Sequence, residues 1–128
     1  MLKAVLVDAS AMSRGLLNTV LTDGGYDVVG QTHTSAQGYA LLQKFQPHLF
    51  CIALEQAEDG ENVVEQIRAN YPKTLIFLVS GAIDAPTLQK ALGRGISGFI
   101  VKPFKADAVL KTIRNTVLAM IRKQQELP

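Results

Sequence analysis

The sequence has one cysteine, two histidines, almost no net charge and no long apolar run, and each shortage excludes a class of function. Cys51 alone cannot close an internal disulfide. Within Leu49-Phe50-Cys51-Ile52-Ala53-Leu54 it reads as a buried, inert thiol, which suits a reducing cytosol. His33 and His48 lack metal-ligand spacing and read as surface or loop residues, so no enzyme or metal site emerges from them. The first residues reach Asp8 too soon to hold a signal-peptide core, and nothing approaches the roughly 20 apolar residues of a membrane span. A cytoplasmic protein that is not an enzyme is the expectation. Thirteen Lys and Arg against eleven Asp and Glu leave a charge of +2, too small a surplus for a dedicated nucleic-acid surface. From position 105 onward, Lys105, Lys111, Arg114, Arg122 and Lys123 face only Asp107 and Glu126, so the basic excess belongs to the C-terminal segment.

What is present is an apolar fraction of 48% in 128 residues, enough for one substantial core and a single domain over 1–128. Five short apolar runs, Ala4 to Val7, Asp27 to Gly30, Leu49 to Leu54, Leu75 to Val79 and Gly98 to Val101, alternate with five segments of helical period. Ser10 is a candidate N-cap for the first helix, with Leu16, Leu17, Val20 and Leu21 at helical spacing and Gly24-Gly25 as the stop. The second helix begins near Thr34 or Ser35 and must end before Pro47. Asp59 is expected to cap a third helix carrying Val63, Val64 and Ile67. Asp84 is expected to cap a fourth, with Pro86 in its first turn and Gly95 at its C-terminus. The last helix places Leu110, Ile113, Val117, Met120 and Ile121 on one face. Strand then helix in five copies predicts a doubly wound parallel α/β sheet whose working site lies beyond the carboxyl ends of the strands. Gly24-Gly25 and Gly93-Arg94-Gly95 do not join a strand to a following helix, so nucleotide binding has no support.

The strand ends carry Asp8-Ala9-Ser10, Ala53-Leu54-Glu55, Ser80-Gly81 and Lys102-Pro103. Together with Val5-Leu6-Val7 before Asp8, Pro47 six residues before Ala53, Asp59-Gly60, and Gly98-Phe99-Ile100-Val101-Lys102-Pro103-Phe104, they resemble the receiver domain of bacterial response regulators. The likeness covers essentially the whole chain. It implies a flavodoxin-like five-stranded sheet in the order 2-1-3-4-5. It also implies a site in which two acids after the first strand and one ending the third hold Mg²⁺, the last of them accepting a phosphoryl group.

Position by position the likeness is incomplete. Asp8 matches the first acid, but Ala9 stands at the second and Ala53 at the phosphoacceptor, and alanine can neither attack phosphorus nor bind a cation through its side chain. The loop after the third strand is one residue shorter than the family's pattern. Ser80 matches the switch hydroxyl, Phe99 the switch aromatic and Lys102 the phosphate-sensing lysine. With its acidic neighbours gone, Lys102 is expected to pair with Asp8, because an unpaired ammonium in a partly buried pocket is costly. Asp8 and Glu55 together make at best a weak Mg²⁺ site, so no cofactor is expected.

The resemblance therefore implies a degenerate signalling module that acts by protein contact. The expected surface is the fourth helix, fifth strand and fifth helix, with Gln89, Lys90, Phe99, Lys105, Lys111 and Arg114. Its expected partner is a histidine kinase, an effector protein or a second copy, and the basic segment favours an acidic one. Two alternatives stand beside it: an unusual phosphoacceptor at Glu55 or Ser80, and a small-anion site at Lys102 and Ser80.

Overall fold

A computed structural model of the chain describes residues 1–126. Strands β1 (Lys3–Val7), β2 (Asp27–Thr32), β3 (Leu49–Ala53), β4 (Leu75–Ser80) and β5 (Gly98–Val101) alternate with helices α1 (Ala11–Asp23), α2 (Ser35–Phe45), α3 (Leu54–Ala57), α4 (Val63–Asn70), α5 (Ala85–Arg94) and α6 (Ala106–Glu126). All pairings are parallel and the order is β2-β1-β3-β4-β5, the expected doubly wound, flavodoxin-like sheet. Among the described residues no helix is long and apolar enough to cross a membrane.

Successive strand residues point to opposite faces, so each central strand feeds two cores. Val5, Val7, Phe50, Ile52, Ile76 and Leu78 meet Leu42 of α2 and Val63, Val64 and Ile67 of α4. Ala4, Leu6, Cys51, Phe77 and Val79 meet Leu17 and Leu21 of α1 and Val109 and Ile113 of α6. Both faces are covered, which is why β3 and β4 are unbroken apolar runs, buried at every position. Cys51 is 1% exposed, and burial pushes its thiol pKa up to about 12.

Three helix starts follow their capping residues. Ser10 accepts from the Ser13 N–H at 3.2 Å, Thr34 from the Gln37 N–H at 3.2 Å and Asp84 from the Thr87 N–H at 2.9 Å. Gly95 ends α5 in the left-handed region at φ +97°, where a β-carbon would also strike the Arg68 side chain. Asp59 is a correction. The helix it was expected to cap starts later, after Asn62, which takes a left-handed φ of 53° and makes no side-chain cap. Asp59 instead accepts from the Glu61 N–H at 3.1 Å and from the buried Ser35 hydroxyl at the start of α2. A sixth helix, the single turn α3, sits between β3 and that loop and was not expected. Leu16 departs from its expected apolar face, being 55% exposed, whereas Ile121, 40% exposed, lies at the rim of the face it was expected to share with Val117 and Met120.

Helix α2 lies close on β1 because Gly38 has no side chain. A β-carbon there would run into Val7 Cγ2 and come within 3.2 Å of Phe50 Cζ. Gly38→Ala is therefore expected to destabilise the fold by about 1–3 kcal/mol despite its better helix propensity, as overpacked cores do. Urea unfolding with an unchanged m-value checks this, and a stabilised variant would contradict it.

Candidate functional site

The carboxyl ends of the strands converge on Asp8, which is 8% exposed and follows β1. Its N–H donates to Thr32 O at 3.0 Å, continuing the β1–β2 ladder by one residue. Its carboxylate is used on both oxygens. Oδ1 accepts from the Ser10 N–H at 2.9 Å, an Asx turn that leads into α1, and Oδ2 accepts from the Lys102 ammonium at 3.0 Å. The Asp8 carbonyl accepts from the Arg14 guanidinium at 2.7 Å. The expected pairing of Lys102 with Asp8 is thus present, with Asp8 the more enclosed of the two side chains (11% exposed against 27%).

Lys102 is placed by β5, since its N–H donates to Ser80 O at 3.0 Å. Ser80 is buried, and its hydroxyl turns into its own loop, accepting from the Ala82 N–H at 3.2 Å and lying 3.5 Å from Ala82 O. Ala53 ends β3 with no exposed surface, and Glu55 stands exposed in the first turn of α3. Between them and β1 lies Gln56, whose Oε1 accepts from the Ala9 N–H at 3.1 Å. Arg94 of α5 secures that turn: Nη2 donates to Ala57 O at 3.0 Å while Nε reaches Glu65 of α4 at 2.6 Å. The bond from Arg94 holds the Glu65 carboxyl below its usual range.

Mg²⁺ takes near-octahedral oxygen ligands and is held by carboxylates. Asp8 has both oxygens engaged, and Ala9 and Ala53 offer no side-chain oxygen. Among the described residues no three His, Cys, Asp or Glu side chains lie close enough together to hold a metal. These side chains do not fit the ion.

The family model of the response regulator receiver domain matches residues 4–114. The chain belongs to the response regulator receiver family. Its curated relatives include the chemotaxis protein CheY of Bacillus subtilis, 28% identical over 90% of this chain and 97% of the relative, and that of Listeria monocytogenes, 26% identical over 88% and 96%. Among solved structures, the chemotaxis response regulator CheY4 of Vibrio cholerae superposes with a TM-score of 0.81 at 25% identity, covering 91% of this chain and 98% of that one. The receiver domain of a putative response regulator NarL from Mycobacterium tuberculosis shares the fold with a TM-score of 0.81 at 22% identity, covering 89% and 94%.

In this receiver the residues expected on the output surface lie on α5, β5, the loop after β5 and α6. Phe99 and Lys105 line a pocket of about 380 Å³ between β5 and α6. Gln89 and Lys111 are exposed on α5 and α6. Lys90 lies instead on the side of α5 that faces α3, in a cleft with Leu54, Glu58 and Arg94. Arg114 lies near Tyr26, where its charge opposes the upward push of burial on the phenol pKa. Two site residues were not foreseen from the sequence. Arg14 carried a weak signal, being a cation in the first turn after an acid. Gln56 carried none, because it depends on the unforeseen turn α3.

Removing one partner of the Asp8–Lys102 pair strands the other in a partly enclosed site. Asp8→Asn is expected to cost about 1–3 kcal/mol, between the values for buried and for surface pairs, and Lys102→Met should cost less when Asp8 is already Asn. A double-mutant cycle in urea that shows simple additivity would deny the coupling. The depressed Glu65 pKa adds stability that is present above the unfolded-state pKa and is lost as the pH falls through the folded one. Glu65→Gln should therefore flatten the acid limb of the stability profile, read by thermal melts between neutral and acid pH.

Proposed function

We propose that this receiver signals by protein contact without accepting a phosphoryl group. The supporting observation is the engagement of both Asp8 carboxylate oxygens, one by Lys102 and one by the chain that opens α1, beside two alanines. Phosphoryl transfer needs a positioned nucleophile, and it needs cations to neutralise the charge on the transferring group. Ala53 supplies no nucleophile, and the ammonium of Lys102 is already paired with Asp8. The same pairing speaks against a small-anion site at Lys102 and Ser80. Ser80 and Glu55 are poorly suited as alternative acceptors: the first is bonded within its loop, and the second is exposed to water on α3.

In this reading the chain holds one arrangement of its strand-end loops and presents a fixed surface. Phe99, Lys105, Gln89 and Lys111 make the contact face, and its charge suits an acidic surface on a kinase, an effector or a second copy. Output is then set by partner availability rather than by a modification at β3.

Intact-protein mass measurement after incubation with Mg²⁺ and acetyl phosphate tests the proposal. The natural chain should show no added phosphoryl group, whereas the double variant Ala9→Asp, Ala53→Asp should gain one. A stoichiometric gain by the natural chain, at Glu55, Ser80 or elsewhere, overturns the proposal.

A further inference from the structure

At the opposite end of the sheet, α6 outruns the strands. Its 21 residues extend about 31 Å, whereas the six of β4 extend about 20 Å. The C-terminal half of the helix therefore overhangs the strand starts and encloses a cavity of about 310 Å³. Leu2, Leu49 and Leu75 line it from below, and Val117, Met120 and Ile121 from the helix. Ile121 and its neighbour Leu118 are 40% and 41% exposed, so apolar surface is left facing water at this end.

The polar part of the lining is donor-rich. It consists of His48, Lys73 and Gln124, with no Asp or Glu among the lining residues. His48 is held firmly: its N–H donates to Lys3 O at 2.9 Å, its carbonyl accepts from the Leu75 N–H at 2.9 Å, and its ring Nδ1 accepts from the Lys3 N–H at 2.9 Å. With Nδ1 used as an acceptor, the neutral ring carries its proton on Nε2 and offers it as a donor. Lys73 adds an ammonium and Gln124 an amide. An apolar cavity with a small number of placed polar groups is the usual form of a small-molecule site, and donors without acids select an anionic head.

We propose that this cavity binds a medium-chain aliphatic carboxylate, with its tail among the leucines and Met120 and its head at Lys73 and His48. The volume is about twice the roughly 150 Å³ that accommodates benzene, which sets the tail at about eight to ten carbons. Such a ligand would bridge α6 to the starts of β1, β3 and β4 and make the stability of α6 responsive to it. The site is separate from Asp8 and Lys102, so it does not depend on whether phosphoryl transfer is lost.

Titration of the ¹⁵N-labelled full chain with sodium octanoate tests the proposal. Saturable amide shifts are expected at Leu2, Leu49, Leu75 and Met120. Octanol, which has the tail without the charge, and the variant Lys73→Glu should each show affinity lower by about tenfold, the loss of one charge-assisted hydrogen bond. Ile121→Trp, a change at an exposed rim position, should abolish the shifts without lowering the thermal midpoint of the free chain. Absence of saturable shifts, or equal affinity for octanol and octanoate, overturns the proposal. So does a sedimentation-detected dimer that Ile121→Trp dissociates, since a second copy would then cover this end.

Discussion

The carboxyl end of this domain depends on one ion pair, between Asp8 after β1 and Lys102 after β5, residues 94 positions apart in the chain. The two strands are not neighbours; β3 and β4 lie between them. A bridge between them ties together the ends of four strands. It also decides what else can happen there. A carboxylate whose oxygens are both occupied has little capacity left for a cation, and an ammonium already neutralised has little field left for an incoming anion. The Asp8 carbonyl and carboxylate also hold Arg14 and the Ser10 amide, so the pair fixes how α1 leaves the sheet.

The end of β3 is built around the absence of polar side chains at Ala9 and Ala53. The Ala9 amide finds its acceptor in Gln56, and Gln56 stands where it does because α3 is a closed turn. That turn is secured by Arg94, which binds the Ala57 carbonyl and Glu65 together. Polar groups that would be left unsatisfied in an emptied site are therefore bonded within the chain, the arrangement expected where burial makes an unpaired group costly. The polar groups of the site thus find their partners within the chain.

Away from this end, the basic surplus of the last segment is divided between the approach to α6 and the helix itself. Lys105 borders the β5 pocket, Lys111 faces outward and Arg114 stands beside Tyr26. Charge counted along a helix becomes a patch only when the residues share a helical face: Lys111 and Arg114, three residues apart, do, whereas Lys105 precedes the helix. The length of α6 matters more than its charge, because a helix that overhangs its sheet must leave either exposed apolar side chains or a cavity beneath them.

Much of this protein was legible without coordinates. Unbroken apolar runs such as Leu75 to Val79 announced strands covered on both faces, and Ser10, Thr34 and Asp84 announced helix starts, because period and local capping are properties of neighbouring residues. The Asp8–Lys102 pair could be anticipated as well, since an ammonium among alanines needs the one acid that remains. Other features were decided only in three dimensions. Asp59 gave up the expected cap to bond Ser35, 24 residues away, and Gln56 reached Ala9 across 47. Lys90 borders a cleft with Leu54 and Glu58, a neighbourhood that the order of residues does not reveal. The sequence determined the periodic elements and the missing acids, because both are local facts. Tertiary structure decided which polar groups satisfy one another, because that depends on which loops the sheet brings together.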